Sequence, residues 1–218
     1  MTEKRSQFET PKFRRRAGAR PDEVLDAALQ LFLRDGFEAT RVEDIAKIAG
    51  ISKATVYLYF PSKVALLEGL VKRSISPVAI IAESAMQQFE GSGQDAIRIV
   101  LGLVCEKMSD PNISGIPVLV MREASRFPDI AKIYYDEVIS HVLPALRSVI
   151  VKGMASGEFR EVDAEMTIRN IIGPLMLHVA AASVFGMGDN SADGLQAFLE
   201  NHLNVLFNGL NKDSRDHG

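Results

Sequence analysis

The sequence predicts an all-α chain of about nine helices, with a small three-helix unit leading a larger helical one. Three observations predict it. Apolar residues recur at spacings of three and four along most of the chain, with no sustained two-residue alternation that would argue for strands. Glycine, proline and capping residues punctuate that pattern where helices must stop and start. The 218 residues, 47% hydrophobic, suffice for a small domain fused to a larger core.

A first helix starts at Pro21, with Asp22 and Glu23 at its positive end, and Val24, Leu25, Ala28, Leu31 and Phe32 form its apolar face. Gly36 ends it. Thr40 and Glu43 have capping-box spacing, so a second helix begins near Arg41 and carries Ile45, Ala46 and Ala49 inward. Gly50 supplies the turn, Ile51 plugs the space between helices, and Ser52 caps a short third helix, Lys53 to Tyr59. Pro61 stops it. Two short helices at a sharp turn are the grammar of a helix-turn-helix reader of double-stranded DNA.

On that reading Lys53, Thr55 and Tyr57 lie near base edges. Arg41, Ser52, Tyr59 and Lys63 are expected on phosphates, with Thr40 both capping and touching phosphate. Val56 and Phe60 hold the third helix against the core.

Ser62 caps a fourth helix running toward Phe89, broken or kinked at Pro77, whose ring clashes with the Arg73 carbonyl. Residues 90–94 form a loop. A fifth helix spans about Asp95 to Ser109 and is closed by Asp110, Pro111 and Asn112. A sixth covers Pro117 to Arg126, and a seventh runs from Pro128 to Ser156, bent near Pro144 and ended by Gly157. Asp163 caps an eighth to Phe185, and a ninth spans Ala192 to Leu210. The expected domains are a reader over 20–66 and an effector-binding and dimerisation unit over 67–211. A disordered basic arm precedes them at 1–19 and a flexible tail follows at 212–218.

The run I-S-K-A-T-V-Y-L-Y-F-P-S-K-V-A-L-L resembles the DNA-binding signature of the TetR family of bacterial transcriptional regulators, typically G-V-S-K-G-T-L-Y-H-Y-F-P-S-K-E-A-L-L. The resemblance extends upstream through V-L-D-A-A-L-Q-L-F-L-R-D-G-F-E-A-T-R-V-E-D-I-A and covers roughly residues 21–70. Ala54 stands where the family commonly has glycine, which brings a methyl group toward the DNA. The segment V-M-R-E-A-S-R-F-P-D-I-A resembles a stretch in the C-terminal domains of some members, among which regulators of efflux or fatty-acid metabolism occur. The resemblance implies a homodimer joined through the last two helices and a ligand-responsive regulator, most often a repressor on a palindromic operator.

Charge agrees with a DNA reader. Residues 1–63 hold 12 Lys+Arg and 9 Asp+Glu, net +3, leaving 13 and 19 for residues 64–218, net −6. The arm's Lys12, Arg14, Arg15, Arg16 and Arg20 are suited to phosphates or a minor groove, or form a solvated tail. One cysteine, Cys105, excludes a disulfide framework and multi-cysteine metal sites and suits the cytoplasm. No metal or cofactor is expected. The basic start lacks a secretory leader's apolar segment. The longest apolar run, 171–185, holds Pro174 and His178 and falls short of the roughly 20 residues a bilayer span needs, so no membrane partner is expected.

Between reader and dimer helices an effector pocket is expected among Met86, Phe89, Met108, Leu119, Phe127, Tyr134 and Met176, with Arg122, His141 and His178 as polar anchors. Met121 and Tyr135 belong to the same adaptable set. The small residues Gly173 and Ala180 to Ser183, beside Leu175, Leu177, Val179, Leu199, Leu203 and Leu206, offer more apolar surface than one hairpin buries, which calls for a second subunit. An enzyme built on Cys105, His141 and His178 lacks any nucleophile elbow, phosphate loop or H-E-x-x-H pair. The rival reading is a sequence-tolerant DNA-binding structural protein without an effector.

Overall fold

The computed structural model describes residues 20–210, so the expected arm and tail lie outside the described residues. The helices are α1 (Arg20–Asp35), α2 (Val42–Ile48), α3 (Lys53–Tyr59), α4 (Lys63–Ser74), α5 (Ser76–Gln88) and α6 (Gly93–Met108). They continue as α7 (Pro111–Glu123), α8 (Pro128–Tyr134), a π-helical turn (Tyr135–Ile139), α9 (Ser140–Ser156), α10 (Ala164–Phe185) and α11 (Ala192–Leu210). α4 meets α5 at Ile75, and α8 runs through the π turn into α9. The described residues therefore form nine helical rods and no strand.

Local chemistry sets most boundaries. Side-chain oxygens of Ser52, Ser62, Ser92, Asp110 and Asp163 accept from backbone N–H groups at the starts of α3, α4, α6, α7 and α10. Gly50 turns the chain between α2 and α3 at φ 66°, a left-handed conformation that a β-carbon disfavours.

Three expectations need correction. The Thr40–Glu43 capping box does not form. The N-cap of α2 is Arg41, without a side-chain bond, and the Thr40 hydroxyl instead donates to the Gly36 carbonyl at 2.7 Å. Pro111 opens a helix rather than closing a loop, because Asp110 caps it and proline at an initial position forfeits no helical bond, so α7 starts well before Pro117. Helical runs also reach membrane length: Pro128–Ser156 and Ala164–Phe185 are long and apolar enough, with mean hydropathies of 1.3 and 1.4. The run 171–185 understated α10, which begins at Ala164. Both runs nevertheless insert residues into the core, Val149 and Ile150 from α9 and Ile171, Leu175 and Val179 from α10.

Pro144 lacks the N–H that would return a bond to the Ser140 carbonyl, and the π turn lies directly ahead of that carbonyl. One continuous buried cluster runs from Val24 to Leu210. α4 packs on both α1 and α8, and α7 packs on α1. Gly115 permits the latter crossing, since a β-carbon there would sit 2.7 Å from the Leu33 side chain. Arg73 on α4 adds a 2.7 Å ion pair to Asp26 on α1.

Candidate nucleic-acid interface and effector chamber

Val56 is fully buried and fixes the roll of α3, so the opposite side of this short helix faces outward. Lys53, Ala54, Tyr57 and Leu58 are exposed, while Thr55 and Tyr59 are half-buried. Ser52 Oγ accepts from the Thr55 N–H at 3.1 Å, and the two hydroxyls share a further bond of 2.8 Å. Arg41 is exposed at the N-cap of α2. Lys53 pairs with Glu43 of α2 and lies 5.7 Å from the centre of the Tyr57 ring. The hydrogen bond between the pair raises the Lys53 pKa and lowers that of Glu43.

Two expected phosphate contacts are occupied elsewhere. Thr40 is buried, with its hydroxyl on Gly36. Lys63 Nζ donates to the carbonyls of Phe37, Glu38 and Thr40 at 2.8, 2.8 and 3.0 Å, which uses all three ammonium donors. It also lies 5.0 Å from the Phe37 ring centre. Desolvation lowers its pKa. Lys63 is thus a strut between α4 and the turn after α1. Sequence reasoning missed Leu58, which is 79% exposed one turn beyond Ala54 and presents an apolar surface of the kind that meets a thymine methyl. Its spacing from Val56 is the signal that would have found it.

Behind the reader, α5 to α10 and the joint residue Ile75 line a partly open cavity of about 440 Å³. Met108, Tyr134 and Met176 line it, as does Met121. The remaining expected pocket residues do not, and each has another environment. Met86 and Leu119 are buried in packed core, and Phe89 is half-buried at the end of α5. Arg122 pairs with the buried Glu123 at 3.1 Å. Phe127 packs edge-on against Phe37. His141 Nδ1 lies 2.8 Å from the Glu83 carboxylate. His178 stacks near Phe198, with ring centres 4.4 Å apart, and bonds the Asp189 carbonyl. The rest of the wall is Val, Ile, Leu and Ala with Pro117, which no local signal separates from core.

A second, open depression lies between the turn after α1 and the end of α7, lined by Arg34, Asp35, Glu38, Arg122, Glu123 and Arg126 among others. Ion pairs fill it, including Arg126 with Glu38. The nucleophile constellation imagined from sequence is dispersed. His141 and His178 have separate partners, and burial pushes the Cys105 thiol up to about 11, which keeps it protonated at neutral pH.

A helix-turn-helix unit with its third helix outward, continuous with a helical body around an apolar cavity, defines a class of DNA-binding regulators. The family model for bacterial regulatory proteins of the tetR family matches residues 24–70, and that for the AefR-like transcriptional repressor C-terminal domain matches residues 98–200. The chain belongs to the TetR family of transcriptional regulators. It is similar to the fatty acid metabolism regulator protein of Bacillus subtilis (strain 168), 25% identical over 190 residues, covering 86% of this chain and 94% of that one. Among solved structures it resembles FadR from Bacillus subtilis in complex with stearoyl-CoA, with TM-score 0.72, 22% identity and coverage of 86% and 98%. It also resembles SmeT in its triclosan complex, with TM-score 0.74, 19% identity and coverage of 90% and 93%. At these identities the structural likeness is one of fold.

Proposed function

We propose that this chain is a cytoplasmic, homodimeric repressor that binds a palindromic operator and is released by a small, largely apolar effector. The observation that carries the reading is the place of Ile75. It lines the chamber and joins α4 to α5, while α4 begins at Lys63, which is bonded to the turn that leads into the reader. A ligand that displaces Ile75 tilts α4 and changes the separation of two readers that must match half-sites about one DNA turn apart. The stearoyl chain of the FadR ligand and the triclosan of SmeT support a largely apolar effector by analogy of fold.

The dimer part rests on α10 and α11, whose outward Leu177, Phe185 and Val205 are 70%, 73% and 67% exposed. Lys53, Ala54, Thr55, Tyr57 and Leu58 are assigned to base edges, and Arg41, Ser52 and Tyr59 to phosphates. Selection of bound duplexes from a random pool tests this directly. Enrichment of two inverted half-sites is expected. Binding without sequence enrichment, at a steep salt slope, favours the sequence-tolerant structural protein instead.

A further inference from the structure

The chamber's chemistry is narrower than its shape. Of its 22 lining residues, none is charged and only Tyr134 carries a side-chain hydrogen-bonding group. Tyr134 is half-buried with its ring packed against the core, and no hydrogen bond joins its hydroxyl to another described residue. Burial pushes its pKa up to about 12, so the group stays a neutral O–H donor throughout the physiological range. An O–H set in an otherwise apolar wall favours a ligand that brings it an acceptor. The π turn begins at the next residue and presents Val138 and Ile139 to the same cavity, and such turns recur at functional sites.

We propose that the chamber takes an uncharged, mostly apolar ligand with a single hydrogen-bond acceptor, held by a hydrogen bond from the Tyr134 hydroxyl. A free carboxylate is excluded by the same wall. Entering the cavity strips its hydration, and no lysine, arginine or histidine lines the cavity to replace it. The polar anchors expected from sequence, Arg122, His141 and His178, are engaged outside the cavity. The inference rests on the chamber being the effector site, yet it concerns which chemistry enters and not what entry does to DNA.

The test is equilibrium binding to the full chain of three probes on one framework: 4-acetylbiphenyl, 4-ethylbiphenyl and biphenyl-4-carboxylate at pH 8. The ketone is expected to bind wild type about a hundredfold or more tighter than the carboxylate. Tyr134→Phe is expected to weaken the ketone about tenfold and leave the ethyl compound unchanged. A carboxylate that binds as tightly as the ketone overturns the proposal, as does an equal effect of Tyr134→Phe on ketone and ethyl probes, or no ketone binding up to its solubility limit. The wild-type comparison stands even if the variant misfolds. Operator affinity measured in the same samples separates the two claims. Selective ketone binding without operator release removes the effector reading alone, whereas operator release by the carboxylate removes the ligand chemistry alone.

Discussion

The Phe127 ring meets the Phe37 ring edge-on, with centres 5.1 Å apart and planes at 71°. Phe37 lies in the turn between α1 and α2, and Phe127 forms the corner between α7 and α8, so the pair joins the reader to two walls of the chamber. Phe32 extends the contact at 5.2 Å, and Arg126 beside Phe127 pairs with Glu38 beside Phe37. A shift of this corner moves the turn that Lys63 also grips.

Phe127→Ala is therefore expected to uncouple the two halves. Ligand affinity stays within about twofold, while the ratio of operator affinities without and with ligand falls from a typical coupling of about 5- to 150-fold toward unity. Operator titrations with and without saturating ligand measure it. A coupling factor equal to that of the wild type would place transmission elsewhere.

Glu43→Gln is expected to strengthen operator binding severalfold. The Glu43 carboxylate holds Lys53 in the free protein, so its neutralisation frees a cation and removes a negative charge from the proposed DNA-facing surface. The gain should shrink as salt rises. Unchanged or weaker binding at low salt would show that the pair orients Lys53 for DNA and does not compete with it.

Lys63→Met should lower stability and leave the salt dependence of DNA binding intact. The substitution strips donors from the Phe37, Glu38 and Thr40 carbonyls, at a cost of about 2 kcal/mol in urea unfolding. Operator titrations over a range of salt should run parallel to wild type. A log–log slope flatter by about 1 would restore Lys63 as a phosphate contact.

Cys105 carries a pH prediction. Its folded pKa, about 11, lies above the thiol's ordinary value of 9.0 because burial disfavours the thiolate, so the unfolded chain loses its proton first. The associated stability is fully present below pH 9 and is lost as pH rises through 11, at most about 3 kcal/mol. Urea unfolding at pH 8 and pH 10.5 should show a larger alkaline loss for wild type than for Cys105→Val. Equal losses would mean that the thiol ionises freely in the folded protein.

Features written locally were legible in the sequence. Gly50 with Ser52, Pro128 and Asp163 each act on residues within one turn, and the helix-turn-helix and the last two helices follow from them. What escaped depends on distant contacts. Lys63 has the look of a DNA ligand because the carbonyls it serves stand 23 to 26 residues away in the chain. The Thr40–Glu43 spacing matched a capping box, yet Thr40 lies one residue before the true N-cap. The chamber wall was hidden for a different reason. Val100, Leu101 and Ile172 have the spacing of core residues, and only the assembled helices leave a void beside them. The expected polar anchors Arg122, His141 and His178 all lie outside the wall, whose hydrogen-bonding side chain, Tyr134, belongs to the adaptable apolar set.

Ligand-gated control is tested most directly by measuring the affinity of 4-acetylbiphenyl for the protein alone and for the protein saturated with its selected operator duplex. Linkage requires operator to weaken ligand binding by the same factor, about 5- to 150-fold, by which ligand weakens operator binding. Equal ligand affinity in the free and DNA-bound protein would contradict the coupling of chamber to reader.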